Sequence, residues 1–574
     1  MTHGNWKSIL KRFLSRTHVL PAARIVHHHL RRATDPVFRA QENFLDEEFR
    51  QFAEAYGAAF RRTQPSAHDK NKRVLIVSAG SLGLLVEIAL VKALELAGYR
   101  PVLLTDYDRR MLAYYREVGV QDIRDWTDIL RPIQKSEAAR RMARVRSFEQ
   151  LLNVEYCGAR VGKYAASTAL RHLRVGRLDL TDRATRDALF PFLHRAMSYA
   201  RAAQDIVQTL RPQLALSVDP GYSPRGELFD ICLAAGIETI TWNAAHKNNA
   251  LMLKRYSQAN RDVHPASLST KTWSDVKAGL WTDSDRERLR RELVGSYLSG
   301  EWYGEVGTQF HTAPQEAAEI RQTLGLDERK KTAVIFSHIF WDGTFFYGTD
   351  LFESYEEWFV ETMRIACANP QVNWIVKIHP ANIVKNVRDG VASEPSELTA
   401  IRSLGGSLPS HVRVVPPDSQ MSTLSLYSVM DYCLTVRGTV GIEAASFGIP
   451  VLTAGTGRYD RLGFTIDSDS KGQYLDRLAH IQEFSPLSPH QRDLAERFAH
   501  GVFVLRPYSL HTVTLEYQRD PKASLRTKVC LPKGQDLRGA PDLRELAEWI
   551  NSGEEDFLAR TMMADCAVTP TTIP

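Results

Sequence analysis

The sequence predicts an α/β protein: two Rossmann-like domains facing a cleft, preceded by a basic helical extension. Three observations predict it. Short apolar runs alternate with helical stretches through both halves of the chain. Several runs end in a polar residue, glycine or proline that opens a turn, where α/β sheets bind their ligands. The 574 residues, 44% of them hydrophobic, are enough for two large domains.

Residues 1–65 form the extension. Lys7, Lys11, Arg12, Arg16, Arg24, Arg31, Arg32 and Arg39 face a single early acid, Asp35. Trp6, Ile9, Leu10, Phe13 and Leu14 recur at helical spacing, the pattern of a helix lying on an anionic membrane surface. The plainer reading is a helix packed on the first domain or on a partner. Residues 66–72 are a polar linker.

The first domain spans 73–325. Residues 74–77 read as a buried strand, 78–83 as a glycine turn, 84–97 as a helix and 101–105 as a strand. The glycine spacing is not that of a dinucleotide fingerprint. Residues 125–210 are helical and rich in arginine. Strands follow at 214–218, ending in Asp219, and at 237–242, followed by His246. Both ends should open on the cleft, which makes Asp219 and His246 candidates for acid–base or nucleophilic work. Residues 255–325 read as a polar, helical connection.

The second domain spans 331–490. A strand at 333–337 ends in His338 and Asp342, with Trp341 between them as a stacking or a core indole. A strand at 372–378 ends in Lys377-Ile378-His379-Pro380. Proline cannot continue a central strand, so His379 is held at the sheet edge, able to donate to a phosphate, with Lys377 adding charge. A strand at 432–436 runs into Arg437-Gly438, then a helix capped by Thr439 with Glu443 near its first turn. Such a helix N-terminus binds anions, and Glu443 is placed to accept from sugar hydroxyls. Residues 491–574 are a C-terminal extension whose helix at 543–551 could cross back to the first domain.

The run Arg-Gly-Thr-Val-Gly-Ile-Glu-Ala-Ala-Ser-Phe-Gly-Ile-Pro-Val, with the Tyr459 and Gly-Phe-Thr-Ile-Asp segments after it, resembles the capsule polysaccharide biosynthesis family. That family includes the bacterial Kdo transferases of capsule assembly. Thr439, Gly441, Glu443, Ala444, Gly448, Pro450, Val451, Gly455, Tyr459, Gly463, Thr465 and Asp467 match its pattern. Arg437-Gly438 departs from it, where a small hydroxyl residue is expected. Gly457-Arg458 also departs, replacing a Pro-Phe pair. The resemblance implies a GT-B-like fold and a glycosyltransferase acting on a surface or capsular polysaccharide or its lipid carrier. It implies a nucleotide sugar as co-substrate, CMP-Kdo before UDP- or GDP-sugars, and no separate cofactor. The matching positions put Thr439, Gly441, Glu443 and Tyr459 at the donor, and the strand ends read above add Lys377, His379, Pro380, Arg437 and Gly438. A sugar-nucleotide 2-epimerase of the same fold and a non-catalytic capsule assembly or export component are the rivals.

Composition narrows the rest. The net charge of +6 is modest and spread, which disfavours nucleic acid. Six cysteines lack C-x-x-C spacing; Cys232, Cys367 and Cys433 read as reduced core residues, and no zinc site is expected. No Asp-x-Asp stands at a strand end, so metal-independent transfer is expected, with Arg437, Lys377, His379 and the helix at Thr439 facing the leaving phosphate. With no long apolar segment or leader pattern evident, the expected location is the cytoplasm, with peripheral contact to the membrane.

Overall fold

The computed structural model describes residue 26 and residues 29–61, 72–78, 83–105, 109–247, 249–302, 313–343, 345–389, 394–405, 407–517, 525–530 and 536–559. The first domain is built on strands β1 (Arg73–Val77), β2 (Arg100–Thr105), β3 (Asp122–Asp125), β4 (Leu214–Val218), β5 (Glu238–Ala244) and β6 (Ala250–Tyr256). The second has β7 (Thr332–Phe336), β8 (Asn373–Lys377), β9 (Val412–Val415), β10 (Tyr432–Thr435) and β11 (Val451–Thr453). A last short strand, β12 (Tyr508–Ser509), belongs to the first sheet.

Among the described residues the first sheet runs β3-β2-β1-β4-β5-β6-β12 and the second β9-β8-β7-β10-β11. Both therefore carry the 3-2-1-4-5 order of a doubly wound nucleotide-binding sheet. The second sheet is parallel throughout. Its strands β7 and β8 are buried at every position, the continuous apolar reading that helices on both faces require. The α/β class with two Rossmann-like domains is what the chain adopts.

Sequence pattern missed β3, β6 and β12. Strand β6 carries Lys254 and Arg255, which interrupt its apolar run. Both are buried and paired: Lys254 Nζ lies 2.7 Å from Asp556, and Arg255 lies 2.9 Å from Glu238. β6 is antiparallel to β5, and β12 antiparallel to β6. Part of the connection read as helical is thus sheet.

The tail returns. The helix Pro489–His500 packs in the core that holds β10 and the helix after it. The chain then adds β12 to the first sheet, and the helix Pro541–Ser552 buries Leu543, Leu546 and Ile550 in the first-domain core. Arg506, fully buried, donates to the carbonyls of Pro265, Ser267 and Leu253 at 2.6–2.8 Å and pins the crossing.

Lys7, Lys11, Arg12, Arg16 and Arg24, with Trp6, Ile9, Leu10, Phe13 and Leu14, lie outside the described residues. The later part of the extension is a packing element. The helix Pro36–Phe52 starts on Asp35, which accepts from the Phe38 amide. It sets Phe49 and Phe52 against Tyr114, centroids 4.9 and 5.0 Å apart, while Glu42 pairs with Arg110 at 2.9 Å. Among the described residues no helix is long and apolar enough to cross a membrane.

Candidate functional site

In a 3-2-1-4-5 sheet the strand order reverses between the first and fourth strands, and the crevice beyond their carboxyl ends takes the ligand. In the second domain those strands are β7 and β10. A cavity of about 310 Å³ opens there. Its wall includes His338 and Asp342 after β7, Lys377, His379 and Pro380 from β8, and Gly438, Thr439 and Glu443 after β10. Tyr297 and Trp302, from the connection between the domains, line it too, their rings stacked 4.9 Å apart. The structure therefore brings together eight of the thirteen site residues expected from the sequence.

His379 is the best-placed donor. Its Nδ1 accepts from the Ala381 amide at 3.2 Å, which leaves the proton on Nε2. Its own amide donates to Ser337 Oγ at 2.9 Å. Burial pushes the imidazole down to about 4, with Lys385 nearby adding to the effect, so the ring is a neutral donor at neutral pH. His338 is held differently. Its Nε2 accepts from the Val436 amide at 3.1 Å and sits 3.0 Å from Thr435 Oγ1, which accepts from the Gly438 amide at 3.0 Å. Its ring stacks on Tyr355, centroids 4.1 Å apart. Burial keeps it well below the ordinary histidine range, so His338 braces the Arg437-Gly438 turn.

Lys377 is buried and donates to the Met421 carbonyl at 3.1 Å; burial lowers its ammonium to about 8. Burial alone would raise the Asp342 carboxyl, but Lys385 at 3.0 Å and Arg171 nearby hold it below the ordinary carboxylate range. Trp341 does not face the cavity. It is buried, with Arg174 3.9 Å and Lys385 4.9 Å from its ring centroid.

Several expectations are corrected. Gly438, not Thr439, is the N-cap; the helix is Thr439–Ser446, and Thr439 is its first residue. Glu443 is its fifth residue, beyond the first turn, and is buried. Its carboxyl accepts from the hydroxyls of Tyr297 and Tyr427, the latter at 2.8 Å. Burial pushes it up to about 7 against those two hydrogen bonds.

Arg437 turns away from the cavity and pairs with Asp350. The cation beside Thr439 is Arg458: its Nη2 donates to Thr439 Oγ1 at 2.9 Å and its Nη1 to the Arg437 carbonyl at 3.0 Å. Tyr459 is buried behind the turn, donating to the Gly438 carbonyl at 2.7 Å. Gly441 is required there, because a Cβ would stand 2.1 Å from the Tyr459 oxygen.

In the first domain the reversal falls between β1 and β4, and Asp219 follows β4 directly. It adopts φ 36°, unusual for a non-glycine residue, and accepts from the Gly221 amide at 3.2 Å. Three residues on, Tyr222 donates to Asp342 at 3.2 Å, with Arg171 4.8 Å from its ring centroid. Asp219 lies close enough to Tyr222, Arg171 and Tyr347 for its charge to act on them. His246 does not line the cavity. It is fully buried behind Trp302, ring centroids 4.9 Å apart, and bonded to Glu292 at 2.8 Å. Burial lowers its imidazole, opposed by Glu292.

Tyr222, Arg171, Lys385, Tyr297, Trp302 and Arg458 were missed. Only Arg458 left a trace in the sequence, as a departure from the family pattern. Among the described residues no group of three or more His, Cys, Asp and Glu converges to hold a metal. Cys232 and Cys433 are buried and unpaired.

No family model and no curated protein matches the sequence. Among solved structures, the chain is similar to Thermosulfurimonas dismutans KpsC, a beta Kdo 2,4 transferase. The match has 13% identity and a TM-score of 0.33, over 55% of this chain and 84% of the other. The S. aureus MnaA–UDP co-structure is similar at 11% identity and TM-score 0.28, over 85% and 100%. The UDP-GlcNAc 2-epimerase from Neisseria meningitidis bound to UDP-GlcNAc is similar at 12% identity and TM-score 0.26, over 75% and 96%. Scores this low add nothing to what the strand order and the residues above establish.

Proposed function

We propose that the chain is a glycosyltransferase that holds a nucleotide-activated sugar in the second-domain cavity and takes its acceptor from the first domain. One observation carries this reading. The cavity lies at the switch point of a doubly wound sheet, lined by a neutral histidine donor, a lysine and a helix N-terminus. Asp342 in its wall is joined to the loop after β4, at the first domain's own switch point, by Tyr222.

In this reading His379 Nε2–H, Lys377 and the Thr439 helix face the phosphate that leaves. An acceptor hydroxyl attacks the anomeric carbon, the sugar–phosphate bond breaks, and a carboxylate takes the hydroxyl proton. Asp342 is the stronger candidate for that base, since it is ionised and lines the cavity. Asp219 stands on the acceptor side. His246 acts at most through Trp302. CMP-Kdo is the donor that the motif resemblance favours, and a capsular or surface glycan, or its lipid carrier, is the acceptor. The basic residues before Arg39 support peripheral contact with an anionic membrane on the cytoplasmic side.

Calorimetry with a panel of CMP-, UDP- and GDP-sugars tests the donor, followed by transfer assays with the sugar that binds. Binding and transfer uphold the reading. A sugar nucleotide altered without an acceptor replaces it with the epimerase, and silence across the panel replaces it with an assembly role.

A further inference from the structure

Two guanidinium groups lie beneath the turn that starts the Thr439–Ser446 helix, and one carboxylate answers them. Arg437 takes Asp350. Arg458 is 8% exposed, and among the described residues no carboxylate lies within 4.0 Å of it. Its hydrogen bonds go to two neutral oxygens, the Arg437 carbonyl and the Thr439 hydroxyl, and its Nε has no partner among the described residues. Glu443 lies near enough to feel the charge, but its carboxyl is held by two tyrosines and titrates near neutrality. A buried charge without a counter-ion is costly, so one that persists calls for a compensating charge. The hydroxyl that Arg458 touches lines the cavity at a helix N-terminus, whose amides favour an anion.

We infer that Arg458 is the positioning cation of a phosphate subsite at the start of the Thr439–Ser446 helix, acting through Thr439, and that the ligand's phosphate completes its charge. The inference rests on the cavity being the donor site, and it assigns to Arg458 the part that position in sequence suggested for Arg437. Arg458 orients the Thr439 hydroxyl from below by occupying one of its lone pairs. It also adds a positive charge to the helix terminus without entering the cavity itself.

The test is the rise of melting temperature with inorganic pyrophosphate, UDP and CMP, measured on the full chain as wild type, Arg458→Gln and Arg458→Lys. Gln keeps a donor for the Arg437 carbonyl and Lys keeps the charge. The wild type should be stabilised by all three. Arg458→Gln should need about tenfold more ligand for the same rise, and Arg458→Lys should stay much closer to wild type. A merely structural role would lower the baseline and leave the ligand-dependent rise unchanged, which overturns the inference. A wild type that responds to pyrophosphate but to neither nucleotide keeps the subsite and removes the nucleotide-sugar reading. A wild type that responds to none of the three removes both.

Discussion

The phenol of Tyr222, in the first domain, donates to the carboxylate of Asp342, in the second, at 3.2 Å. Asp342 lines the cavity, and its other oxygen takes Lys385 at 3.0 Å. Removing either partner leaves a polar group without its bond, so the two should be energetically coupled. A double-mutant cycle of Tyr222→Phe and Asp342→Asn should give a coupling of about 1–2 kcal/mol in unfolding stability. Strictly additive losses would mean that the contact does not hold the domains together.

Glu443 should make stability fall with pH. Its carboxyl is raised from 4.5 to about 7 by burial. Between those values the folded protein keeps a proton that the unfolded chain has lost, so stability drops as pH rises through the window and levels off above it. Glu443→Gln can still accept from both tyrosines and does not titrate. Its stability relative to wild type should climb by on the order of 3 kcal/mol from pH 4.5 to 8. Denaturant melts at several pH values measure this, and a constant difference would show that the acid is not held protonated.

Gly441→Ala should destabilise, although alanine is the better helix former. The new methyl would overlap the Tyr459 oxygen, and overpacking of this kind costs about 1–3 kcal/mol. Tyr459→Phe in the same background removes that oxygen and should return part of the loss. If the two changes simply add, the ring is not what excludes a side chain there.

His379→Ala should weaken nucleotide binding about tenfold, the worth of one charge-assisted hydrogen bond. The fold should survive, because His379 follows the strand end and its backbone amide, which bonds Ser337, remains. Calorimetry on folded protein decides it: unchanged affinity removes His379 from the donor site.

Much of the second domain was legible because its signals are local. A strand that ends in His-Pro, or in Arg-Gly-Thr before a helix, announces a turn at the sheet edge whatever surrounds it. His338, His379 and Thr439 therefore fell on one cavity. Which way a long side chain turns was not legible. Arg437 and Arg458 are 21 residues apart in sequence, and the choice of which one pairs with Asp350 is made by tertiary packing. Glu443 read as an acceptor for sugar hydroxyls because the two tyrosines that occupy it come from residues 297 and 427, outside its helix. β6 was invisible for the same reason: its lysine is neutralised by Asp556, three hundred residues away in round terms.

The returning tail has a mechanical consequence. The chain passes between the domains twice, once after β6 and again between the helix Pro489–His500 and β12. A body joined to another at two points behaves like a door on two hinges: it swings about the line through them and resists swivelling or sliding. Arg506 fixes the second joint to three carbonyls, so a rotation about that line is the relative motion that two such links would resist least. The edge opposite the joints is the one that such a rotation would move farthest.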